Sequence, residues 1–225
     1  VLELKKAEWK VEIDEGIFNH TKIFNIIARR GQGGSSIILG THYDSRLFAD
    51  QDPFPENHKK PVPGANDGAS GVAVLLELAR SLPKSQTNNV WLVFFDAEDN
   101  GGILDQDWIL GSRAFVEKLE EKPSAVIIVD MVGDADLNIY KEQNSTPELA
   151  NEIWLKAEEL GYKDYFISTQ KYAILDDHTP FLQIGVPSVL IIDFDYPYWH
   201  TTEDTIDKIS AQSLKVVGDT LLAWV

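Results

Sequence analysis

Two histidines and a set of carboxylates recur in five short polar clusters along this chain. They read His42-Tyr43-Asp44-Ser45, Gly64-Ala65-Asn66-Asp67-Gly68, Asp96-Ala97-Glu98-Asp99, Asp130-Met131-Val132-Gly133 and Trp199-His200-Thr201. Imidazole nitrogen and carboxylate oxygen, with no cysteine anywhere, form the ligand set of a hard-to-borderline divalent metal, zinc first among them. The adjacent pair Glu98-Asp99 repels itself unless a cation or a shared proton stabilises it. One member of such a pair can bind metal while its neighbour serves as general base.

Taken singly, each cluster has a structural reading. A lone histidine past a strand, such as His42, is more often a packing residue than a ligand. Asp67, just before a helix, fits a cap for free backbone amides. The glycines at 64, 68 and 71 imply a backbone path beyond what a cap requires. Asp130 reads as a structural carboxylate bonded to amides, and Tyr196, Tyr198 and Trp199 as aromatic packing. All of these readings holding together is far less expected than any one of them.

The elements that must position these groups are visible as apolar runs. Ser36-Ile37-Ile38-Leu39-Gly40, Trp91-Leu92-Val93-Phe94-Phe95 and Ala125-Val126-Ile127-Ile128-Val129 read as buried strands of a mostly parallel sheet, each followed by a polar cluster. Ligands of open α/β sheets bind outside the carboxyl ends of the strands, so the clusters are expected at one rim. Residues 9–14 and 21–29 read as two early strands joined at Asn19-His20. Residues 31–35 form a turn, and 45–63 a long, charged, proline-containing loop of the functional sort. Residues 69–82 read as a nearly all-round apolar, buried helix. Further helices are expected at 111–120, at 147–161 (capped by Ser145 or Thr146 and stopped by Gly161) and at 210–224, with strands at 125–130 and 186–192. Asp176-Asp177-His178 is a sixth cluster, expected just past a strand end.

Composition limits the alternatives. With 225 residues, 44% of them hydrophobic, one large core is expected, hence a single domain spanning 1–225. Twenty basic against 36 acidic residues give a net charge of −16, which argues against nucleic acid and anionic membranes as partners. No apolar stretch approaches the ~20 residues of a membrane-spanning helix. The chain begins at Val1, which suggests a processed form. Together with the absence of cysteine, this suits a periplasmic or secreted protein, expected as a monomer.

The motifs resemble one family. His42-Tyr43-Asp44-Ser45, Gly64 to Gly71, Phe95-Asp96-Ala97-Glu98-Asp99, Leu110-Gly111-Ser112-Arg113 and His200-Thr201-Thr202-Glu203-Asp204-Thr205 resemble the zinc aminopeptidase (M28-type) superfamily in its usual order, from Trp9 to Ile209. The resemblance implies an α/β fold, a three-layer αβα domain with a central mixed, mostly parallel sheet. Within the superfamily, the glutaminyl cyclases are the more similar. Trp199 before the histidine, Asp176-Asp177-His178-Thr179-Pro180-Phe181, the segment Phe48-Ala49-Asp50-Gln51-Asp52-Pro53, the insertion 100–110 with Trp108, and Asp99 all resemble the bacterial members of the animal-type cyclases. The tail from His200 to Asp207 is as similar to the aminopeptidases.

A cyclase would convert the N-terminal glutamine of peptides or proteins to pyroglutamate and release ammonia. The resemblance implies one zinc on Asp67, Asp99 and His200, with Glu98 shuttling the proton. Asp130 and Asp177 would form an acidic pair orienting the substrate amide, and Trp199 and Trp108 would wall the pocket. His42 is left as a supporting hydrogen-bond partner or a ligand of a second metal. The alternative is a two-zinc aminopeptidase, with Asp67 bridging and His42 and Asp130 completing the second site.

Overall fold

The computed structural model describes residues 1–31, 34–84 and 88–225; the expected turn at 31–35 lies partly outside them. In chain order the elements are α1 (Leu2–Lys6), β1 (Lys10–Phe18), β2 (Thr21–Arg30), β3 (Ser36–His42), α2 (Ala69–Ser81), β4 (Asn89–Phe95), α3 (Leu110–Glu117), β5 (Ala125–Asp130), β6 (Ile139–Lys141), α4 (Pro147–Glu159), β7 (Phe166–Gln170), α5 (Thr179–Gln183), β8 (Ser188–Ile192) and α6 (Ala211–Trp224). The main sheet runs β1-β2-β4-β3-β5-β8. β4, β3, β5 and β8 are mutually parallel, while β2 is antiparallel to both β1 and β4. The short β6 and β7 form a separate parallel pair.

Side chains alternate across the pleat, and the two faces collect separate cores. Leu39, Leu92, Phe94, Ile127, Val129 and Ile191 pack with α1, α2, α4 and α6, including Leu4, Leu75, Trp154 and Val217. Ile38, Val93, Phe95, Val126, Ile128 and Leu190 pack with Phe115 of α3 and Phe181 of α5. This is the three-layer α/β/α arrangement. The central strands read as unbroken apolar runs because both faces are covered. Among the described residues no helix is long and apolar enough to cross a membrane.

Some local expectations need correction. α2 is not apolar all round: Ala69, Ala73, Glu77 and Arg80 are exposed along one stripe, and Val74, Leu75, Leu78 and Ala79 face the core. α3 ends at Glu117, short of 120. Neither Ser145 nor Thr146 caps α4 through its side chain. The Thr146 hydroxyl accepts from the Ser188 amide at 3.0 Å, and Ser145 donates to Glu142 and accepts from the Leu190 amide. The β6–β7 pair and the short helix α5 are too brief for a periodicity signal. Asp176 and Asp177 come after a non-strand segment rather than a strand end.

Candidate active site

The polar clusters meet at the carboxyl rim of the parallel strands. His42 is the last residue of β3 and Asp130 the last of β5. Glu98 and Asp99 come three and four residues beyond β4, which ends at Phe95. Asp67 directly precedes the first turn of α2, and His200 sits on the connection from β8 to α6. All six are buried. The chain reaches this geometry through left-handed backbone at non-glycine residues: Ala97 has φ +51°, Met131 +43° and His200 +56°. Such conformations gather where a site is built.

Glycine accounts for the close approach of α2. A Cβ on Gly68 would lie 2.5 Å from the His42 ring, and one on Gly71 would lie 2.1 Å from Thr41 Oγ1. The Asp67–Gly68 peptide bond is cis. Asp67 does not cap α2. Its carboxylate faces His42 Nε2 at 3.1 Å and His200 Nε2 at 3.5 Å, while its own amide donates to Asp204. Asp204 also accepts from the Asn66 amide at 2.8 Å and from the Tyr196 hydroxyl at 2.8 Å. Across the site, Asp44 accepts from the amides of Glu98 and Asp99 at 3.1 and 3.2 Å and lies 3.5 Å from His42 Nδ1. Sequence reading attached no role to Asp44 or Asp204. The signal was present, since each comes two or four residues after a site histidine within the motifs.

Among the described residues two trios could hold a metal ion: Asp67, Asp99 and His200, and His42, Asp67 and Asp130, each with candidate ligand atoms within 4.8 Å of one another. The residues fit a cation. Among the described residues Asp99 Oδ2 is buried without a hydrogen-bond partner, and burial next to Asp67 pushes the Asp99 carboxyl well above the usual range. Burial lowers His200 to about 4, so at neutral pH its ring carries the lone pair that a metal needs. In the second trio His42 Nε2 lies 2.9 Å from Asp130 Oδ1. Burial opposes the charged form of His42, but Asp130, Asp44 and Asp67 outweigh it and raise His42.

Beside the trios lies a cavity of about 250 Å³ lined by Asp67, Glu98, Asp99, Asp130, Asp176 and His200 on one side and by Trp108, Ile174, Ile192, Phe194 and Trp199 on the other. Trp199 stacks on His200 with ring centroids 3.8 Å apart, and Trp108 lies parallel to the same ring at 6.1 Å. Gly101 is packed directly under Trp108, where a Cβ would meet the indole at 2.1 Å. A larger groove of about 880 Å³ along β1, β2 and α3 is lined by residues such as Lys10, Glu12, Arg29 and Lys118, and among the described residues it includes none of the trio residues.

Of the expected acidic pair, Asp130 lines the cavity and Asp177 does not. Asp177 is fully buried, and neither of its oxygens has a hydrogen-bond partner among the described residues. Its neighbour Asp176 faces the cavity instead, raised to about 7 by burial and then by Asp130. The Asp177 amide donates to Asp176 Oδ1 at 2.5 Å, and of the two adjacent carboxyls it is Asp176 that the turn before α5 brings to the cavity. Glu98 is raised well above the usual carboxylate range by burial and by Asp99, Asp176 and Asp177, with His42 opposing. A carboxyl raised in this way is suited to take a proton and return it.

The sequence profile of Peptidase family M28 matches residues 25–225. Among solved structures, a glutaminyl cyclase from Tannerella forsythia superimposes with a TM-score of 0.92 at 37% identity, covering 99% of this chain and 86% of that one. A Zn-dependent exopeptidase from Parabacteroides distasonis superimposes with a TM-score of 0.92 at 33% identity, covering 98% and 85%. Aminopeptidase YwaD of Bacillus subtilis is 31% identical over 84% of this chain and 40% of its own length. Both chemistries foreseen from the motifs are therefore represented among its relatives.

Proposed function

The chain belongs to peptidase family M28, and within that family we propose that it is a glutaminyl cyclase, converting N-terminal glutamine of peptides to pyroglutamate and ammonia. The observation that carries this reading is Asp176. Apart from the candidate ligands Asp67 and Asp99, it brings a third acidic side chain, beside Asp130 and Glu98, to face one aromatic-walled cavity. Peptide hydrolysis on two metals uses Glu98 to activate water and Asp130 as a ligand, and it leaves the Asp176 carboxyl without a task. Intramolecular cyclisation needs such a group, because the side-chain amide must be turned toward its own α-amine.

The α-amine nitrogen attacks the Cδ carbonyl carbon, and a C–N bond forms as Glu98 takes a proton from the amine. Collapse breaks the bond from Cδ to the amide nitrogen, and Glu98 returns the proton to the departing ammonia. Asp130 and Asp176, sharing a proton, hold the amide NH2. Trp199 and Trp108 cover the glutamine methylenes and exclude water, which keeps the nucleophile intramolecular. Asp67, Asp99 and His200 would hold the metal, a Lewis acid that polarises the amide carbonyl.

The test is a paired assay with a Gln-initiated and a Leu-initiated peptide, reading ammonia and free amino acid. Ammonia from the first peptide alone supports cyclisation. Leucine release without ammonia overturns it in favour of a two-metal aminopeptidase using His42 and Asp130 as additional ligands.

A further inference from the structure

The long 45–63 loop holds a buried cation that neither the metal ligands nor the proton path uses. Arg46 is 4% exposed. Its guanidinium is bidentate to Asp50, with Nε to Oδ1 and Nη2 to Oδ2 both at 2.7 Å. Nη1 donates to the backbone carbonyl of Asp99 at 2.6 Å, and both terminal nitrogens reach Gly101 O. The guanidinium carbon lies 4.8 Å from the centre of the Trp108 ring.

The other end of this pair points at the histidine. Asp50 Oδ1 is 3.8 Å from His200 Nδ1, and that nitrogen is buried without a hydrogen-bond partner among the described residues. Nε2 of the same ring faces Asp99 and Asp67, so Nδ1 is the nitrogen left to carry the proton. The loop also holds this segment by its backbone. The Gln51 amide donates to His200 O at 3.3 Å, and Asp52 accepts from the Thr202 amide and hydroxyl at 3.0 and 2.6 Å.

We propose that Arg46 and Asp50 are a positioning pair for the metal site: Arg46 fixes Asp50 opposite His200 Nδ1 while tying down the backbone of Asp99 and the indole of Trp108. A carboxylate facing the far nitrogen of a histidine ligand favours one tautomer and raises its basicity; at 3.8 Å Asp50 acts on Nδ1 through its charge, beyond direct hydrogen-bond reach. Bidentate pairing with simultaneous carbonyl contacts needs the planar guanidinium fork, which lysine cannot reproduce. This role rests on Asp67, Asp99 and His200 holding a metal, and it is the same for cyclisation and for hydrolysis.

The experiment measures zinc affinity of the whole chain by competition with a chromophoric chelator, for wild type, Asp50→Asn and Arg46→Lys, alongside the melting temperature of each metal-free protein. Asp50 is partly exposed, and Asn keeps its shape, so that variant folds even if the buried Arg46 substitution does not. The expected result is zinc binding weakened roughly 10-fold to 100-fold in Asp50→Asn, in a metal-free protein that still unfolds cooperatively, at a lower temperature because buried Arg46 loses its counter-charge. Affinity within about twofold of wild type overturns the positioning role. A wild-type chain without tight zinc overturns the metal reading itself, and this proposal with it.

Discussion

Asp204 accepts a hydrogen bond from the Asp67 backbone amide at 3.2 Å, so a residue four past His200 holds the candidate ligand from the start of α2. Both sides of one trio are thereby fixed by a single fully buried carboxylate. Asp204→Ala leaves the amides of Asn66 and Asp67 and the Tyr196 hydroxyl without their acceptor. Zinc affinity is expected to fall roughly 10-fold to 100-fold. Chelator competition is the measurement, and unchanged affinity would remove Asp204 from the site.

Glu98→Gln keeps the size of the side chain and removes its proton chemistry. Turnover of a Gln-initiated peptide is expected to drop ~100-fold to 10,000-fold, with metal content by elemental analysis near that of wild type. Surviving activity would mean that another group shuttles the proton.

Asp176 and Asp177 are adjacent in sequence and opposite in setting. Asp176→Asn is expected to lower kcat at least ~100-fold, because it alters a group facing the cavity. Asp177→Asn replaces a buried carboxyl that has no hydrogen-bond partner among the described residues and is expected to cost less than ~10-fold, a smaller share than a positioned proton-transfer group contributes. Steady-state kinetics on the two variants would reverse the assignment if the larger loss fell on Asp177.

Asp193 lies outside the site and gives a stability signature. Burial raises its carboxyl from 3.8 to about 7, although the amides of Asn138 and Asp195 donate to it. Between these two values the folded chain holds a proton that the unfolded chain has lost. Stability therefore falls as pH rises through this window and levels off above it. Asp193→Asn cannot titrate, so its melting temperature relative to wild type is expected to climb between pH 4 and 7 and then stay flat. For a chain of this size each kcal/mol amounts to roughly 2–4 °C. A pH-independent difference would show that the carboxyl is not shifted.

The framework of this site was legible because buried parallel strands write themselves as unbroken apolar runs. Ile37 to Leu39, Trp91 to Phe95 and Ala125 to Val129 mark the strands, and the residues just past each strand must sit at the ligand-binding rim. The candidate ligands stood out because a metal trio draws on residue types that are conspicuous at strand ends. Arg46 was hidden, since an arginine in a charged loop has the composition of solvated surface. Only the chain path that turns the loop back under Trp108 buries it. The choice between Asp176 and Asp177 was equally closed to sequence, because it depends on the direction of one turn ahead of a five-residue helix.

Gly101 shows how a pocket dimension can be encoded by something missing. The Trp108 indole fills the space that any Cβ at 101 would claim, so even alanine there would displace a wall of the cavity. In a saturation scan scored on activity, position 101 would cluster with the acids and the histidines despite offering no functional group. In a redesign for bulkier substrates, it would be a hinge point for enlarging or collapsing the chamber without altering any reacting residue.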